Sequence, residues 1–480
     1  MLIGQATINL SANILSALLG LLSVFIFTRL LTPHDYGIYL LGVGFATVAS
    51  VFLAGWFRNT ILIGHARNDG TDVRSGVLSG YFLVCLSAPL IYGVGRLVGL
   101  ESSVATAAVS LAIAIGIFEL TQDLLRSRLL AVAAMKTTLV RAIMALSLGV
   151  AFTIFDRNGI VLLFAATLAY LIAVLVQTTR TWYGTKWTFD RVSLMAAAAH
   201  GWPLTLSLTL LAISSVVDRF MIANLIGETE AGRYVASLDL VRQTLMMPAI
   251  SAAAAFFPLA VNIYANKGAG AVRSHLSECI ELLFAIIIPA CLGFALISSH
   301  IANVLLGAEF REVAAVTIPI VTVAVIFQIL TQQYLHVSFL LSKRNSFYLI
   351  NTASIIVVNV VLSFALISKY GVAGAAWARL GADAFGFACA LILSRRAFPI
   401  PLPFARLGLI LIAGLLMALP IKLLDSYFVM PDFLACIVLV CVGIVSYAAL
   451  IWLFDISQCR GRLTIGVSIF RSKLARWSAR

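Results

Sequence analysis

Charge is what this chain has least of. Asp, Glu, Lys and Arg make up 11% of its 480 residues, against roughly 25% in a soluble domain. So small a polar fraction cannot clothe a water-exposed surface of this size, and a soluble enzyme or binding module is excluded. Cysteine is too scattered to build anything. Cys85, Cys279, Cys291, Cys389, Cys436 and Cys441 lie within apolar runs and only Cys459 outside them, with no CxxC and no neighbouring His cluster. Neither a disulfide framework nor a metal site is expected. The GxxxxGK[ST] phosphate loop, the HExxH zinc motif and the GxSxG nucleophile elbow are all missing, so nothing in the sequence points to ATP-driven work, metal-dependent hydrolysis or a serine hydrolase. No enzymatic activity and no cofactor are expected. The N-terminus lacks a basic leader and an obvious small-residue cleavage site, which reads as a retained first span and not a cleaved signal.

What the chain has is apolar length. Hydrophobic residues make up 61% and mean hydropathy is +1.04. A transmembrane helix needs about 20 apolar residues, and about fourteen such runs are present, separated by short connections. The expected fold is an all-α polytopic membrane protein. The net charge of +13 would suggest nucleic acid in a soluble protein. Here the bases fall in the connections. With a cytoplasmic N-terminus, 21 Lys and Arg lie on the cytoplasmic side, six of them in the tail, and 6 lie on the opposite side. That asymmetry places both termini in the cytoplasm, as an even number of spans requires.

Two distant stretches spell nearly the same turn: LLTPHDYGIY at Leu30–Tyr39 and LIGETEAGRY at Leu225–Tyr234. Aligning Gly37 with Gly232 also aligns Asp35 with Glu230 and Tyr39 with Tyr234. A second echo joins DRNGIVLLFA from Asp156 to KYGVAGAAWA from Lys369, with Gly159 facing Gly371. Six spans separate the landmark turns, so the halves enter the bilayer in the same direction and form parallel repeats. Such an arrangement is typical of transporters, with the site where the halves meet. The expected division is a six-helix bundle over 1–193, a second over 194–398, two additional helices over 399–456, and a tail over 457–480. In the tail, Leu463, Val467, Phe470, Leu474 and Trp477 form one helical stripe with Lys473, Arg476 and Arg480 on another face. That pattern fits a basic amphipathic helix on an anionic leaflet.

Six Lys or Arg remain inside or at the ends of spans: Arg29, Arg58, Arg141, Arg219, Arg242 and Arg379. A charge within a bilayer faces a partner or a wet cavity. Asp239 with Arg242 (i,i+3) and Arg379 with Asp383 (i,i+4) have the spacing of intrahelical pairs. Asp123 is placed to meet Arg126, and Arg141 to snorkel to the rim. Arg29 and Arg58 have no carboxylate three or four residues away. Asp218 and Arg219 are adjacent and so cannot neutralise each other. These residues suggest a central cavity with surplus positive charge, and guanidinium is the group best suited to phosphate. The candidate binding set is Arg29, Arg58, Arg219, Arg242, Arg379, Gln332 and His336, the last two lying i,i+4 on a polar face with Gln328, Gln333 and Tyr334. Asn9 and Asn13 either line the cavity or bond a neighbouring helix. Candidate ion-coupling acids are Asp218, Asp383 and Glu119.

The segments FTRLLTPHDYGIY, VVDRFMIANLIGETEAGRY and YGVAGAAWA resemble the Wzx-type polysaccharide biosynthesis transporters of the multidrug/oligosaccharidyl-lipid/polysaccharide superfamily. The resemblance covers nearly the whole chain, and its motifs identify the superfamily better than the substrate. It implies two bundles that rock between inward-open and outward-open states. It also implies a bacterial inner-membrane location and the flipping of undecaprenyl-pyrophosphate-linked oligosaccharides for exopolysaccharide, capsule or O-antigen synthesis. The implied partners are the lipid-linked oligosaccharide, membrane lipids, and the polymerase and export machinery of the same pathway, with no nucleic acid. Related lipid II flippases carry cavity arginines on their first two spans, in places comparable to Arg29 and Arg58. Arg29 is not echoed in the second half, where Asn224 aligns with it. The rival functions are an ion-coupled drug exporter, a lipid II flippase and a non-transporting scaffold.

Overall fold

In hydrocarbon every backbone N–H and C=O must be satisfied within its own segment or by a closed neighbour, and helices do this along their whole length. The computed structural model describes residues 2–67, 73–185 and 191–455, all of it helical or turn. In order the elements are α1 (Leu2–Leu30), α2 (Pro33–Arg67), α3 (Val73–Cys85), α4 (Ala88–Leu97), α5 (Ser102–Ser127), α6 (Ala131–Phe155), α7 (Gly159–Thr181) and α8 (Arg191–Ile226). Then follow α9 (Glu228–Leu296), α10 (Ser298–Leu305), α11 (Ala308–Ile329), a π-helical turn (Leu330–Leu335), α12 (His336–Leu341), α13 (Asn345–Ala397), α14 (Phe404–Tyr427) and α15 (Asp432–Leu453). The expected amphipathic tail and the side chains of Asn9 and Asn13 lie outside the described residues.

Among the described residues ten helices are long and apolar enough to cross a membrane, and the bent pair α3–α4 makes an eleventh crossing. Two of the ten are double. Gly268 (φ 78°) interrupts α9 and Gly371 (φ 56°) interrupts α13, and a positive φ is a conformation that glycine adopts at no steric cost. With α1, the number of crossings reaches the fourteen expected from the apolar runs.

The landmark glycines meet. A Cβ on Gly37 would sit 2.1 Å from the carbonyl oxygen of Glu228, and one on Gly232 would sit 2.1 Å from that of Pro33 and 3.0 Å from the Cα of Gly37. The starts of α2 and α9 therefore pack backbone against backbone, each turn on its own echo. His34 of α2 reaches Glu228 of α9 at 3.5 Å beside this contact. Gly159, at the start of α7, packs as closely on the backbone of Asp35.

A second reciprocal feature lies at the same end of the molecule. The third and ninth runs each break before finishing, giving the short helices α4 and α10. The last carbonyls of a helix lack intrahelical donors and carry partial negative charge. Arg29, at the end of α1, donates to the α10 carbonyls of Val304 (2.9 Å) and Leu305 (3.2 Å). Asn224, its aligned counterpart at the end of α8, donates to Val98 just past α4 at 3.3 Å. The Gly307 N–H also donates to the Thr28 hydroxyl at 3.1 Å.

The apolar core falls into two main clusters. One joins α2, α3, α4, α5 and α7 through residues such as Phe45, Leu53, Leu111 and Leu163. The other runs from Ile222 to Tyr447 but also takes in Val24 and Phe27 of α1, Leu31 just past it, and Tyr36 and Leu40 of α2. The end of α1 thus belongs by packing to the second cluster. α2 and α8 are in contact toward both ends: Gly44 faces Val216 and the stem of Arg219, Gly55 faces Thr205, and Gly201 lies on the backbone of Trp56.

Because both neighbours of the Gly37–Gly232 contact are backbone, neither can rotate aside. Gly232→Ala should destabilise the protein by about 1–3 kcal/mol, the usual cost of overpacking, read as a lower unfolding midpoint in detergent. Gly93→Ala, with nothing within 4 Å of its would-be Cβ, should be neutral or slightly stabilising. Equal midpoints for the two variants would contradict a close-packed seam.

Candidate functional site

The charged residues of the spans are sorted by where their helices bring them. On α8, Asp218 and Arg219 point to different partners. Asp218 lies 3.5 Å from the Arg379 guanidinium of α13 and accepts a hydrogen bond from Tyr234 at 3.3 Å. Arg219 donates to Asp239 of α9 at 2.8 Å. Arg379 also donates to Asp383, one turn along its own helix, at 2.7 Å, and to the Ser214 carbonyl at 3.1 Å. Arg379 and Asp218 are 2% and 0% exposed, and a buried pair of this kind persists only because its remaining donors and acceptors are also matched. The i,i+4 pair expected from spacing is present. The alternative i,i+3 pairing is not: Asp239 turns to Arg219, and Arg242 donates to the Ser215 carbonyl at 3.1 Å. The Arg242 Nε and Nη2 groups are buried without a partner.

Arg58 is matched across the bundle. Its Nε donates to Asp123 of α5 at 2.6 Å, and an Nη lies 3.3 Å from Glu119 on the same helix. Asp123 faces Arg126 only at 4.0 Å. Arg29 is engaged at the far end by α10 and stacks on Phe25, 3.8 Å from its ring centroid. Of the seven binding candidates, then, Arg29 is held by a helix terminus, and Arg58, Arg219 and Arg379 by carboxylates. Glu119, Asp218 and Asp383, the coupling candidates, are the acids in three of these contacts.

Gln332, His336, Arg379 and Asp383 do come together. With Gln328 and Thr331 they line one narrow pocket between α8, α13 and the helix containing the π turn. A π turn widens the backbone by one residue and is common at functional sites. The His336 ring approaches Asn351 at 3.0 Å and stacks edge-on against Tyr348. The Gln328 Oε1 and Thr331 Oγ1 atoms are buried here without a partner, so the pocket offers unmatched hydrogen-bonding atoms to a hydroxyl or a water.

Arg141 points between α1, α6 and α7, donates to the Ser16 hydroxyl at 3.1 Å, and lies 5.3 Å from the Tyr170 ring centroid. One turn along the same face of α1, Gly20 meets Gln243 of α9. Tyr39 stands near both Arg141 and Asp239, so these groups border the contact between the two core clusters. Among the described residues, Arg29, Arg141 and Arg242 are the span arginines with no carboxylate within salt-bridge distance, and of these Arg29 is held by the end of α10. Nothing in the local sequence distinguishes Arg141 from a snorkelling residue, because its contacts come from other helices, Ser16 of α1 lying 125 positions away.

A large apolar groove completes the site. It has a cavity volume of about 690 Å³ between the end of α9, α10, α14 and α15, and is walled by Pro289, Phe294, Met417, Phe433, Ile444 and Tyr447 among others. Sequence reasoning missed it, since its walls are built from residues that read as ordinary lipid-facing spans.

Comparison with known proteins agrees with this architecture. Over 399 residues the chain is 23% identical to the "Putative O-antigen transporter" of Shigella flexneri, a match covering 77% of this chain and 91% of that protein. The lipid II flippase MurJ in an inward closed conformation superposes with a TM-score of 0.72 at 17% identity, covering 92% of this chain and 98% of MurJ. An inward-facing multidrug resistance MATE transporter of the MOP superfamily superposes with a TM-score of 0.61 at 15% identity, covering 82% and 98%. The fold is thus that of multi-pass transporters and flippases, not of enzymes. The family model for polysaccharide biosynthesis proteins matches residues 26–315, more than half of the sequence, and the chain belongs to that family.

Proposed function

We propose that this protein flips undecaprenyl-pyrophosphate-linked oligosaccharide repeat units across the bacterial inner membrane by alternating access. The observation that carries this reading is the division of the span arginines. Four are matched by carboxylates or a helix end, while Arg141 and Arg242, one from each expected half, have no carboxylate within salt-bridge distance, and two nitrogens of Arg242 are buried without a hydrogen-bond partner. An unpaired charge in a bilayer is costly, and an anionic headgroup supplies the missing counter-charge by bidentate contacts. The substrate is amphiphilic, and the apolar groove of about 690 Å³ suits a stretch of its polyprenyl chain while the head occupies the polar interior. Gln332, His336 and the unmatched Gln328 and Thr331 are the groups suited to sugar hydroxyls.

With both termini cytoplasmic, as the Lys and Arg distribution favours, the Gly37–Gly232 seam is the periplasmic seal. The head enters from the cytoplasmic side, and rocking of the two halves breaks the seam to release it. An inside-negative potential favours outward movement of an anion by about 2.3 kcal/mol per charge per 100 mV. Protonation of Asp218 or Asp383 would loosen the hold on Arg379, and that is the proposed route for ion coupling.

Deletion of the gene should trap a lipid-linked oligosaccharide on the inner leaflet. Lipid II trapped there, or cationic-dye sensitivity without a glycan defect, would show the rival functions. Arg141→Ala and Arg242→Ala should each abolish surface polymer at normal expression, with Lys restoring part of it. Normal polymer from the Ala variants would overturn the anion-site assignment. Arg219→Leu strands the Asp239 carboxylate and should lower stability by about 3–5 kcal/mol, whereas the double change with Asp239→Leu should recover most of it. A double variant no more stable than the single one would show that the pair is not coupled.

A further inference from the structure

The eight-residue helix α10 is tied at both ends. Its last turn accepts Arg29. Its first turn carries His300, whose ring lies between carboxylates of two other helices. Nδ1 is 2.7 Å from Asp432, the first residue of α15, and Nε2 is 2.9 Å from Asp425, near the end of α14. Asn303, three residues along α10, donates to the same Asp432 oxygen at 3.3 Å. A neutral imidazole has one N–H and one lone pair, so it can donate to one carboxylate only and would present its lone pair to the other. Making both contacts at once requires the imidazolium.

The other side of α10 has a different task. Ile297, just before it, and Ile301, Val304 and Leu305 within it line the apolar groove, and Phe433, Cys436 and Ile437 of α15 form part of the opposing wall. The His300 cluster therefore stands where α10 and α15 come together at one end of that groove.

We propose that His300, Asp425 and Asp432 form a protonation-dependent latch that holds the α14–α15 turn against α10 and closes this mouth of the groove. With the imidazolium present the two helices are drawn together. With neutral imidazole one carboxylate faces a lone pair, and the turn is released. Other charged groups lie in reach, among them Lys422, one turn before Asp425 on α14. Arg311 of α11 acts on Asp432 and Arg29 of α1 holds the far end of α10. Cys436 lies one turn beyond Asp432 on α15, and the adjoining stretch of α9 up to Leu296 contributes no ionisable group besides Cys291.

Partial burial opposes the His300 cation, but Asp432 and Asp425 outweigh it and raise the imidazole pKa above its ordinary value. A group whose folded pKa is raised contributes its full stabilisation below the ordinary imidazole range and loses it as pH climbs through the raised value. The latch is accordingly shut in acid and opens toward alkaline pH.

The test is amide exchange of the 425–436 segment in the full-length protein in lipid nanodiscs, divided by the intrinsic rate at each pH, between about pH 5.5 and pH 8.5 to bracket the imidazole. Protection should fall roughly tenfold across this range in the native chain, since a single charged contact of about 1.4 kcal/mol corresponds to that factor. His300→Gln should be weakly protected at both ends of the range, and His300→Arg, a permanent cation, strongly protected at both. Asp425→Asn, at a partly exposed position that tolerates the change, should move the transition to lower pH. Protection that ignores pH in the native chain, or a fall that persists in His300→Gln, would overturn the latch.

Discussion

A hydrocarbon solvent leaves no charge without a counterpart, and the interior of this molecule follows from how that demand is met. Asp218 meets Arg379, Asp383 meets Arg379 from one turn along, Asp239 meets Arg219, and Asp123 with Glu119 meets Arg58. The contacts between helices fix each pair relative to each other, because a stranded partner costs several kcal/mol. Where the demand is met by backbone, as at Arg29 on the carbonyls of α10, the charge serves to close one end of the bundle. Where it is not met by protein, at Arg141 and Arg242, the structure holds unused cationic capacity on either side of the contact between its two cores.

That allocation gives a consistent picture of movement. The seam at Gly37 and Gly232 is backbone against backbone, flanked by Tyr36 and Leu40, which pack into the second core cluster. The reciprocal contacts of Arg29 with α10 and Asn224 with the end of α4 are hydrogen bonds to carbonyls, which water can replace when the end opens. The tight ion pairs are found deeper, within each cluster, where rigid-body motion leaves them intact. Contacts that break lie at the seam, and contacts that persist lie inside the bundles.

Much of the fold was legible because bilayer helices announce themselves by length and apolarity. The repeat was legible for a sharper reason: backbone-to-backbone packing tolerates only glycine, so Gly37 and Gly232 were kept in matching frames. The Arg379–Asp383 pair was legible because its spacing is local. The remaining partners were not. Arg58 finds Asp123 from 65 residues away, and Asp239, at helical distance from Arg242, prefers Arg219 because α8 lies against it. Arg29 and Arg58 have the residue type of cavity ligands but are engaged by a helix end and by two acids, a distinction only tertiary contacts make. The partners of Arg141 were not legible because position along a helix does not reveal which face meets α1.

The central claim is that the uncompensated guanidinium groups exist to receive a diphosphate. The most direct measurement is the affinity of the purified protein in nanodiscs for undecaprenyl pyrophosphate against undecaprenol, two ligands that share the tail and differ in the head. The account predicts at least about tenfold tighter binding of the diphosphate, equal to about 1.4 kcal/mol, and loss of that preference when Arg141 and Arg242 are both changed to Gln. Equal affinity for the two lipids, or a preference that survives the double change, would contradict it.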